Sequence, residues 1–328
     1  MLYCLKFLNI MKKTITAIFF ALITILLCSC EKEGVYNPKK KISKICSVRC
    51  ETWEWDGDLL KSITYSSGKT MLFNYNGKQL SGIVSTYSEI SHDYTCYIFK
   101  YDKTGRHIVT IDEYIGGWIR RHNGLSNIFF ETPKHTYHWE FHYNKDGKIS
   151  ECEETQYFHP WLYYKEENDV IDFISKYVVP IPPARKKMAL YENKSTDNEI
   201  VDLIYTASFT YTGDNITEIH ITGSGEEYTA QYVYTDYPNP FYKLLQPGIS
   251  SFSFTDFKNK QLPVFCHTKR EILFTGEILY LDYDYLYELE DGYPVTVQEK
   301  RKEYYFIPAT ETPDTNYSTT FTYYEYLP

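Results

Sequence analysis

The chain has 328 residues, of which 43% are apolar and 23% are charged, a balance typical of folded proteins and not of disordered or collagen-like chains. The formal net charge is −9 at pH 7, so no overall positive field attracts phosphates and we expect no nucleic-acid partner. The chain contains 34 Tyr, 19 Phe and 5 Trp. Because aromatic residues favour the pleated, half-buried surface of a sheet, this composition predicts an all-β protein.

The first 29 residues have the features of a bacterial lipoprotein signal peptide. Lys12 and Lys13 precede an uncharged run over residues 14–27, which is shorter than the roughly 20 residues of a membrane-spanning helix. The run ends Leu27-Cys28-Ser29-Cys30, which resembles a lipobox, the motif whose final Cys receives lipid. The resemblance implies cleavage after residue 29, diacylglycerol on the Cys30 sulfur and an acyl chain such as palmitate on its new amino group. Several acyl chains hold a protein firmly at a membrane.

The residues around this signal leave two questions open. Met11 begins a complete signal peptide by itself, so translation from Met1 and translation from Met11 are both compatible with the sequence. Residues 30–42 are predicted to form a tether, in which Glu31 and Glu33 resemble the surface-export signal of some gram-negative lipoproteins. A solvated polar terminus is the alternative interpretation of the same charges. We therefore expect a lipid anchor in the outer membrane, facing either the periplasm or the cell surface.

From residue 43 to residue 328 the chain repeats one motif: two aromatic residues two positions apart, then Asn or Asp, Gly and an aliphatic residue. Copies and looser copies cover residues 53–60, 73–83, 99–108, 141–149, 209–216 and 285–292. Rings two apart share one face of a strand, and Asx-Gly tolerates the positive φ of a tight hairpin turn. The motif predicts an antiparallel hairpin meander that forms a curled sheet or a partly closed barrel.

Two parts of the chain depart from this motif. Prolines at 180, 182 and 183 interrupt residues 166–198, which suggests a boundary between two candidate halves, 43–165 and 199–328. The segment 238–247 begins with proline and contains two adjacent leucines, a pattern typical of a short helix. We therefore expect one or two short helices in the connections.

The Tyr-Asx-Gly hairpins resemble the tyrosine-aspartate repeats of Rhs-type proteins. Together with the lipobox, the segments Asn239-Pro-Phe241, Lys260-Gln-Leu-Pro263 and Asp291-Gly-Tyr-Pro294 are similar to gram-negative envelope lipoproteins of a domain-of-unknown-function family with a porin-like fold. The resemblance covers roughly residues 40–328 and brings no established activity or site residues. Uneven repeat spacing leaves strand number and closure open. Short predicted strands, and a chain end that is Pro328 instead of an aromatic residue, disfavour an integral membrane barrel.

One candidate metal site stands out. His138, Glu140 and His142 alternate along a predicted strand, and imidazole and carboxylate are ligands that divalent ions such as Zn²⁺ accept. On a straight strand His138 and His142 lie about 13 Å apart, too far to share one ion. An outward polar face is therefore the competing interpretation. His122, His135 and His159 could supply partners, but nothing in their spacing indicates that they do.

The cysteines after position 30 indicate a structural role. Cys46 and Cys50 are about 13 Å apart on a straight strand and need a turn between them to form a disulfide. Cys96, Cys152 and Cys266 have no neighbouring signature of a nucleophile, and we expect them to be buried thiols.

No complete catalytic set or cofactor motif is present in the sequence, so we expect a non-catalytic protein without a cofactor. Exposed aromatic rings stack on sugars and anchor peptides. The candidates for such contacts are Trp118, Trp161, Tyr163 and Tyr164. The sequence therefore predicts binding of an extracellular glycan or peptide. Two alternatives stay open, namely a surface hydrolase that is a glycosidase or metal-dependent, and a structural component of the envelope.

Overall fold

A computed structural model describes residues 32–86, 94–120, 127–157, 201–244, 259–307 and 314–328. Within these ranges, sixteen antiparallel strands form one closed barrel. The strands are β1 (Ile42–Cys46), β2 (Cys50–Asp56), β3 (Leu59–Tyr65), β4 (Thr70–Asn76), β5 (Gln79–Thr86), β6 (Tyr94–Tyr101), β7 (Ile108–Arg120), β8 (Asn127–Tyr143), β9 (Ile149–Tyr157), β10 (Val201–Thr212), β11 (Asn215–Gly223), β12 (Glu226–Pro238), β13 (Gln261–Ile272), β14 (Glu277–Glu290), β15 (Tyr293–Phe306) and β16 (Asp314–Tyr326).

Each strand pairs with the strands before and after it in the chain, so the predicted meander is confirmed. The prediction of a curled or partly closed sheet is corrected, because β16 returns to β1 and closes the barrel with pairs such as Ile42 with Tyr326 and Cys46 with Tyr323. The two candidate halves are parts of the same wall, since β9 and β10 pair across the proline-rich segment between them. That segment itself lies outside the described residues.

The short helix predicted for residues 238–247 is wrong over the part that the structure describes. Pro238 is the last residue of β12, and Asn239 then directs a turn. Its side-chain oxygen accepts a hydrogen bond from the Phe241 N–H at 2.9 Å, and its carbonyl accepts one from Tyr242 at 3.1 Å. Lys243 has a positive φ of 70°, a conformation that ends helical geometry. Among the described residues, no helix is long and apolar enough to cross a membrane.

The barrel wall is aromatic on its inner face and charged on much of its outer face. On β14, Tyr283 and Tyr285 line an internal cavity, whereas Asp282 and Asp284 point outward and pair in register with lysines of β15. Alternate residues of a strand point to opposite faces. The same outer face of β14 and β15 also carries exposed apolar residues, Leu286 and Phe306.

The short turns predicted by the repeated motif connect β2 to β3, β4 to β5, β6 to β7, β8 to β9, β10 to β11 and β14 to β15. They lie at the same end of the barrel, which we call the tight-turn end. Gly77 and Gly105 occupy two of these turns with φ of 65° and 66°. Residues with a side chain rarely adopt this conformation. The Asx-Gly part of the motif therefore forms the turns that it predicts.

The tight-turn end is closed from inside by residues that precede β1. The Glu33 carboxylate is only 8% exposed and accepts hydrogen bonds from the Ile108 N–H and the Tyr143 hydroxyl, both at 2.8 Å. Tyr36 is buried and donates to the Pro240 carbonyl at 2.8 Å. Part of the segment predicted as a tether is therefore packed into the barrel.

A tyrosine near the end of an even-numbered strand joins neighbouring hairpins near the tight-turn end, and Tyr75, Tyr101, Tyr143 and Tyr287 are the second aromatic residue of the repeated motif. Its hydroxyl donates to a backbone carbonyl near the start of the preceding strand. We call this set the tyrosine belt. The donor and acceptor pairs are Tyr75 to Leu60 at 3.0 Å, Tyr101 to Leu80 at 2.6 Å, Tyr143 to Ile108 at 2.8 Å, Tyr234 to Ile216 at 2.6 Å, Tyr287 to Pro263, and Tyr326 to Pro294 at 2.9 Å. Trp55 makes the corresponding contact through its ring N–H, to Ile42 at 2.7 Å.

A disulfide joins Cys46 and Cys50 across the first hairpin. A turn between the two residues, with a hydrogen bond from the Ser47 N–H to the Arg49 carbonyl, places them directly opposite each other in the β1–β2 pair. The straight-strand geometry that would have separated them does not apply here. Cys96, Cys152 and Cys266 are buried thiols, as the sequence predicts.

Candidate ligand cavity and outer-wall histidine cluster

A partly open cavity of about 590 Å³ lies inside the barrel, against strands β12 to β16. Phe241 and Leu244, from the turn after β12, line it near the tight-turn end. Its walls are mainly tyrosine rings, which come from alternate positions of the strands: Tyr228, Tyr232, Tyr234, Tyr283, Tyr285, Tyr287 and Tyr324. A concave, largely apolar cavity with a few polar groups is the usual form of a small-molecule site.

The rings on β14 form a ladder. The centroids of Tyr283 and Tyr285 are 6.3 Å apart with an interplanar angle of 10°, and those of Tyr285 and Tyr287 are 6.5 Å apart with an angle of 22°. Residues two apart on a strand are separated by about 6.6 Å, so the strand repeat itself sets this spacing. Burial raises the pKa of Tyr285 and Tyr287 well above the usual tyrosine value. Both hydroxyls are therefore neutral at physiological pH.

Glu299 brings a carboxylate into this aromatic surface. It lies directly opposite Tyr285 in the β14–β15 pair and lines the cavity. Burial raises its pKa, and the positive charge of Arg301 partly offsets that effect. Among the described residues, no group donates a hydrogen bond to this carboxylate. Glu299 is half-buried, and its carboxylate oxygens can accept hydrogen bonds. The hydroxyl groups of a ligand in the cavity would therefore find an acceptor there.

A second group of functional side chains lies on the outer wall, where β7 pairs with β8. The Asp112 Oδ1 atom is 3.1 Å from His135 Nε2 and 2.6 Å from His138 Nδ1. Its Oδ2 atom is 3.1 Å from the Lys100 ammonium. Burial alone would raise the pKa of Asp112, but the contacts with the two histidines and Lys100 hold it well below the usual range. Asp112 is therefore an anion at physiological pH.

A β-bulge brings the two histidines together. Asp112 pairs with His138 and Glu113 with Tyr137, but Tyr114 pairs with His135, so Thr136 is skipped. Without this bulge, residues three apart on a strand would point to opposite faces. The His135 ring also packs between Tyr114 and Tyr157, with centroids at 4.7 and 4.5 Å.

The structure separates the residues that the sequence combined into a metal site. His138 belongs to the outer-wall cluster, together with Asp112 and His135. Glu140 is exposed, and His142 Nε2 lies 3.8 Å from Glu153 instead. Strict alternation pointed to positions 138, 140 and 142, because the sequence carries no visible sign of the bulge at Thr136. Asp112 is brought in by cross-strand register, which is also hidden in a single sequence.

Most of the remaining predicted site residues lie outside the described residues. Trp118 lies on β7, where its backbone pairs with Phe129, but its side chain is outside the described residues. Trp161, Tyr163, Tyr164 and the predicted lipidation residue Cys30 also lie outside them. The inward tyrosines of β14 were not singled out from the sequence. Their alternation with acidic residues, at Asp282 and Asp284, was the signal that one face of this strand is aromatic.

Comparisons with known proteins give structural likeness but no sequence match. No family model matches the sequence, and no curated protein sequence matches it significantly. Among solved structures, the chain is similar to a porin-like protein from Bacteroides vulgatus, with a TM-score of 0.45 and 10% sequence identity, over 88% of this chain and 100% of that chain.

Proposed function

We propose that this protein is a non-catalytic, lipid-anchored barrel of the outer membrane that binds an extracellular carbohydrate in its tyrosine-lined cavity. The observation that carries the proposal is the combination of the Tyr283–Tyr285–Tyr287 ladder with the Glu299 carboxylate in one cavity. The sequence predicted binding through exposed rings on the outside. Here the aromatic rings that contact the ligand lie on the inner face of the barrel instead.

A carbohydrate matches both features of the cavity. The C–H face of a sugar ring packs flat against an aromatic ring, and its hydroxyl groups donate hydrogen bonds to a carboxylate. Thr268 and Thr322 add hydroxyl groups to the lining. An extended peptide usually binds by adding a strand to a free sheet edge, and the closed barrel has no such edge within its described wall. We therefore favour a glycan over a peptide.

The lining favours binding over hydrolysis. Glycoside hydrolysis generally uses two carboxyl groups about 5 to 9.5 Å apart. Glu299 is the one carboxylate among the described residues that line the cavity. Our interpretation is therefore a binding protein, in which Glu299 orients the ligand and the tyrosine rings provide most of the contact area.

The lipid anchor implies an orientation. Glu33, whose carboxylate is buried at the tight-turn end, lies three residues after Cys30, and three residues span at most about 11 Å. An acylated Cys30 would therefore hold the tight-turn end close to the membrane surface. The opposite end of the barrel, toward which the cavity extends from Phe241 and Leu244, would face away from the membrane. This orientation makes the cavity accessible to ligands from the surrounding medium.

Glycan-array screening of the purified protein, followed by calorimetry with any sugar that binds, tests the proposal. We expect Tyr285→Ala to weaken binding by roughly 2- to 12-fold, the range for loss of an aromatic contact, and Glu299→Gln to weaken it by about tenfold. Tyr323→Ala is the matched control, because Tyr323 is 53% exposed on the wall. Binding of peptides but not glycans, or equal losses in Tyr285→Ala and the control, would refute the carbohydrate proposal.

The anchor has a separate test. Metabolic labelling with palmitate in a gram-negative host should mark the protein, and Cys30→Ala should abolish both the label and outer-membrane fractionation. Cys28→Ala is the matched control, because it changes a neighbouring cysteine of the same motif. A labelled Cys30→Ala variant would exclude Cys30 as the acylated residue. An anchored protein that binds no ligand would instead favour a structural role in the envelope.

A further inference from the structure

We propose that Asp112, His135 and His138 form a binding site for one divalent transition-metal ion, such as Zn²⁺, on the outer wall of the barrel. One ligand atom from each residue lies within 4.8 Å of the other two. The two imidazole nitrogens approach the same oxygen, Asp112 Oδ1, at 3.1 and 2.6 Å. Two imidazoles and one carboxylate are a common ligand set for Zn²⁺ in sites that keep further positions open.

The distances fit an ion after small side-chain movements. Ligands of a tetrahedral Zn²⁺ lie about 2.0–2.1 Å from the ion and therefore roughly 3.3 Å from one another. The His135–Asp112 distance would open by about 0.2 Å and the His138–Asp112 distance by about 0.7 Å. The histidine side chains are 28% and 27% exposed, so an ion can enter from solvent while the carboxylate beneath them is almost fully buried.

Two atoms of the cluster are enclosed without a hydrogen bond of normal geometry. They are Asp112 Oδ2 and His135 Nε2. Both lie at ion-pair distance from a neighbour, Oδ2 from Lys100 and Nε2 from Asp112 Oδ1, but the bond directions are poor. Buried polar atoms of this kind are uncommon and generally have a partner such as water or an ion. A metal bound by Nε2 and Oδ1 would satisfy the nitrogen and leave Lys100 on the second oxygen.

The surroundings hold the ligands in place. Tyr114 and Tyr157 pack on both sides of the His135 ring, and the cross-strand pairing of Asp112 with His138 sets the separation of their backbones. Supporting contacts of this kind fix the orientation of metal ligands. Lys100 also has an opposing effect, because its positive charge next to Asp112 repels a cation. The site is therefore expected to bind metal more tightly when this charge is removed.

Calorimetry with Zn²⁺, and absorption spectroscopy with Co²⁺, test the site on the mature, tag-free protein extracted in detergent. We expect one ion per chain. His138→Gln should weaken binding by more than about tenfold, since it removes one of three ligands. His142→Gln is the matched control, because His142 lies on the same strand and the same face but outside the cluster. Lys100→Met should tighten binding by at least about fivefold.

Circular dichroism of each variant establishes that the barrel is still folded. Absence of Zn²⁺ and Co²⁺ binding by the wild-type and Lys100→Met proteins would overturn the proposal and leave the cluster as an ion-pair network around Asp112. Equal losses in His138→Gln and His142→Gln would also overturn it, because binding would then not involve this cluster. None of these outcomes depends on whether the cavity binds carbohydrate.

Discussion

Loss of hydroxyl groups from the tyrosine belt should destabilise the barrel measurably. In the triple variant Tyr75→Phe, Tyr101→Phe and Tyr234→Phe, each ring stays in place and one hydroxyl is removed. The three hydroxyls donate to three different carbonyls at 3.0, 2.6 and 2.6 Å. A hydrogen bond of this kind contributes about 0.5–1.5 kcal/mol net. Because the acceptors are not shared, the effects should add to roughly 1.5–4.5 kcal/mol.

Urea unfolding followed by tryptophan fluorescence and circular dichroism measures this loss. The midpoint should fall without a change in slope, since the surface exposed on unfolding is almost the same. Tyr317→Phe is the matched control, because Tyr317 is 74% exposed on the outer wall, and it should have an effect within about 0.5 kcal/mol. A triple variant as stable as this control would refute the idea that the belt joins the hairpins energetically.

Two further predictions concern alkaline pH and the disulfide. Burial raises the pKa of Tyr75, Tyr101 and Tyr285 above the usual tyrosine value of about 10. The stability that depends on their protonated form is therefore present below about pH 10 and is lost as the pH rises further, by about 1.4 kcal/mol per pH unit for each tyrosine. Urea midpoints and tyrosinate absorbance across this range check it, and tyrosines that titrate near pH 10 in a protein of unchanged stability would contradict it. Replacing both Cys46 and Cys50 with Ser should cost about 2 kcal/mol, because the disulfide closes a loop of only a few residues; thermal unfolding measures this, and no change relative to wild type would contradict it.

The repeated motif was sufficient to predict the hairpins and their turns. Gly77 and Gly105 have the positive φ that Asx-Gly indicated, and Tyr75 and Tyr101 point inward near those turns, as rings two apart on a strand require. These features are local, because the residues that determine them are within about ten positions of one another. The sequence alone therefore carried enough information to predict strands, turns and the inward aromatic face.

Closure of the barrel and the outer-wall cluster depend on residues that are far apart in the chain. The pairing of β1 with β16 follows from the accumulated twist and the number of all sixteen strands. The number of strands could not be counted from the sequence, because the repeats are unevenly spaced. The cluster depends on the bulge at Thr136 and on the register that places Asp112 opposite His138. A side-chain period of two is reliable only between bulges, and this is why Glu140 and His142 were grouped with His138 from the sequence.

The seam between β1 and β16 also has a consequence for how this protein is made. A growing polypeptide can form the early hairpins one after another, but it has no partner for its first strand until its last strand has been synthesised. Until then both edge strands of the incomplete sheet have unpaired backbone N–H and C=O groups, and such edge strands are prone to aggregation. Closure of the barrel by pairing of β1 with β16 is therefore a late folding event. A chain shortened by one C-terminal strand would remain an open sheet.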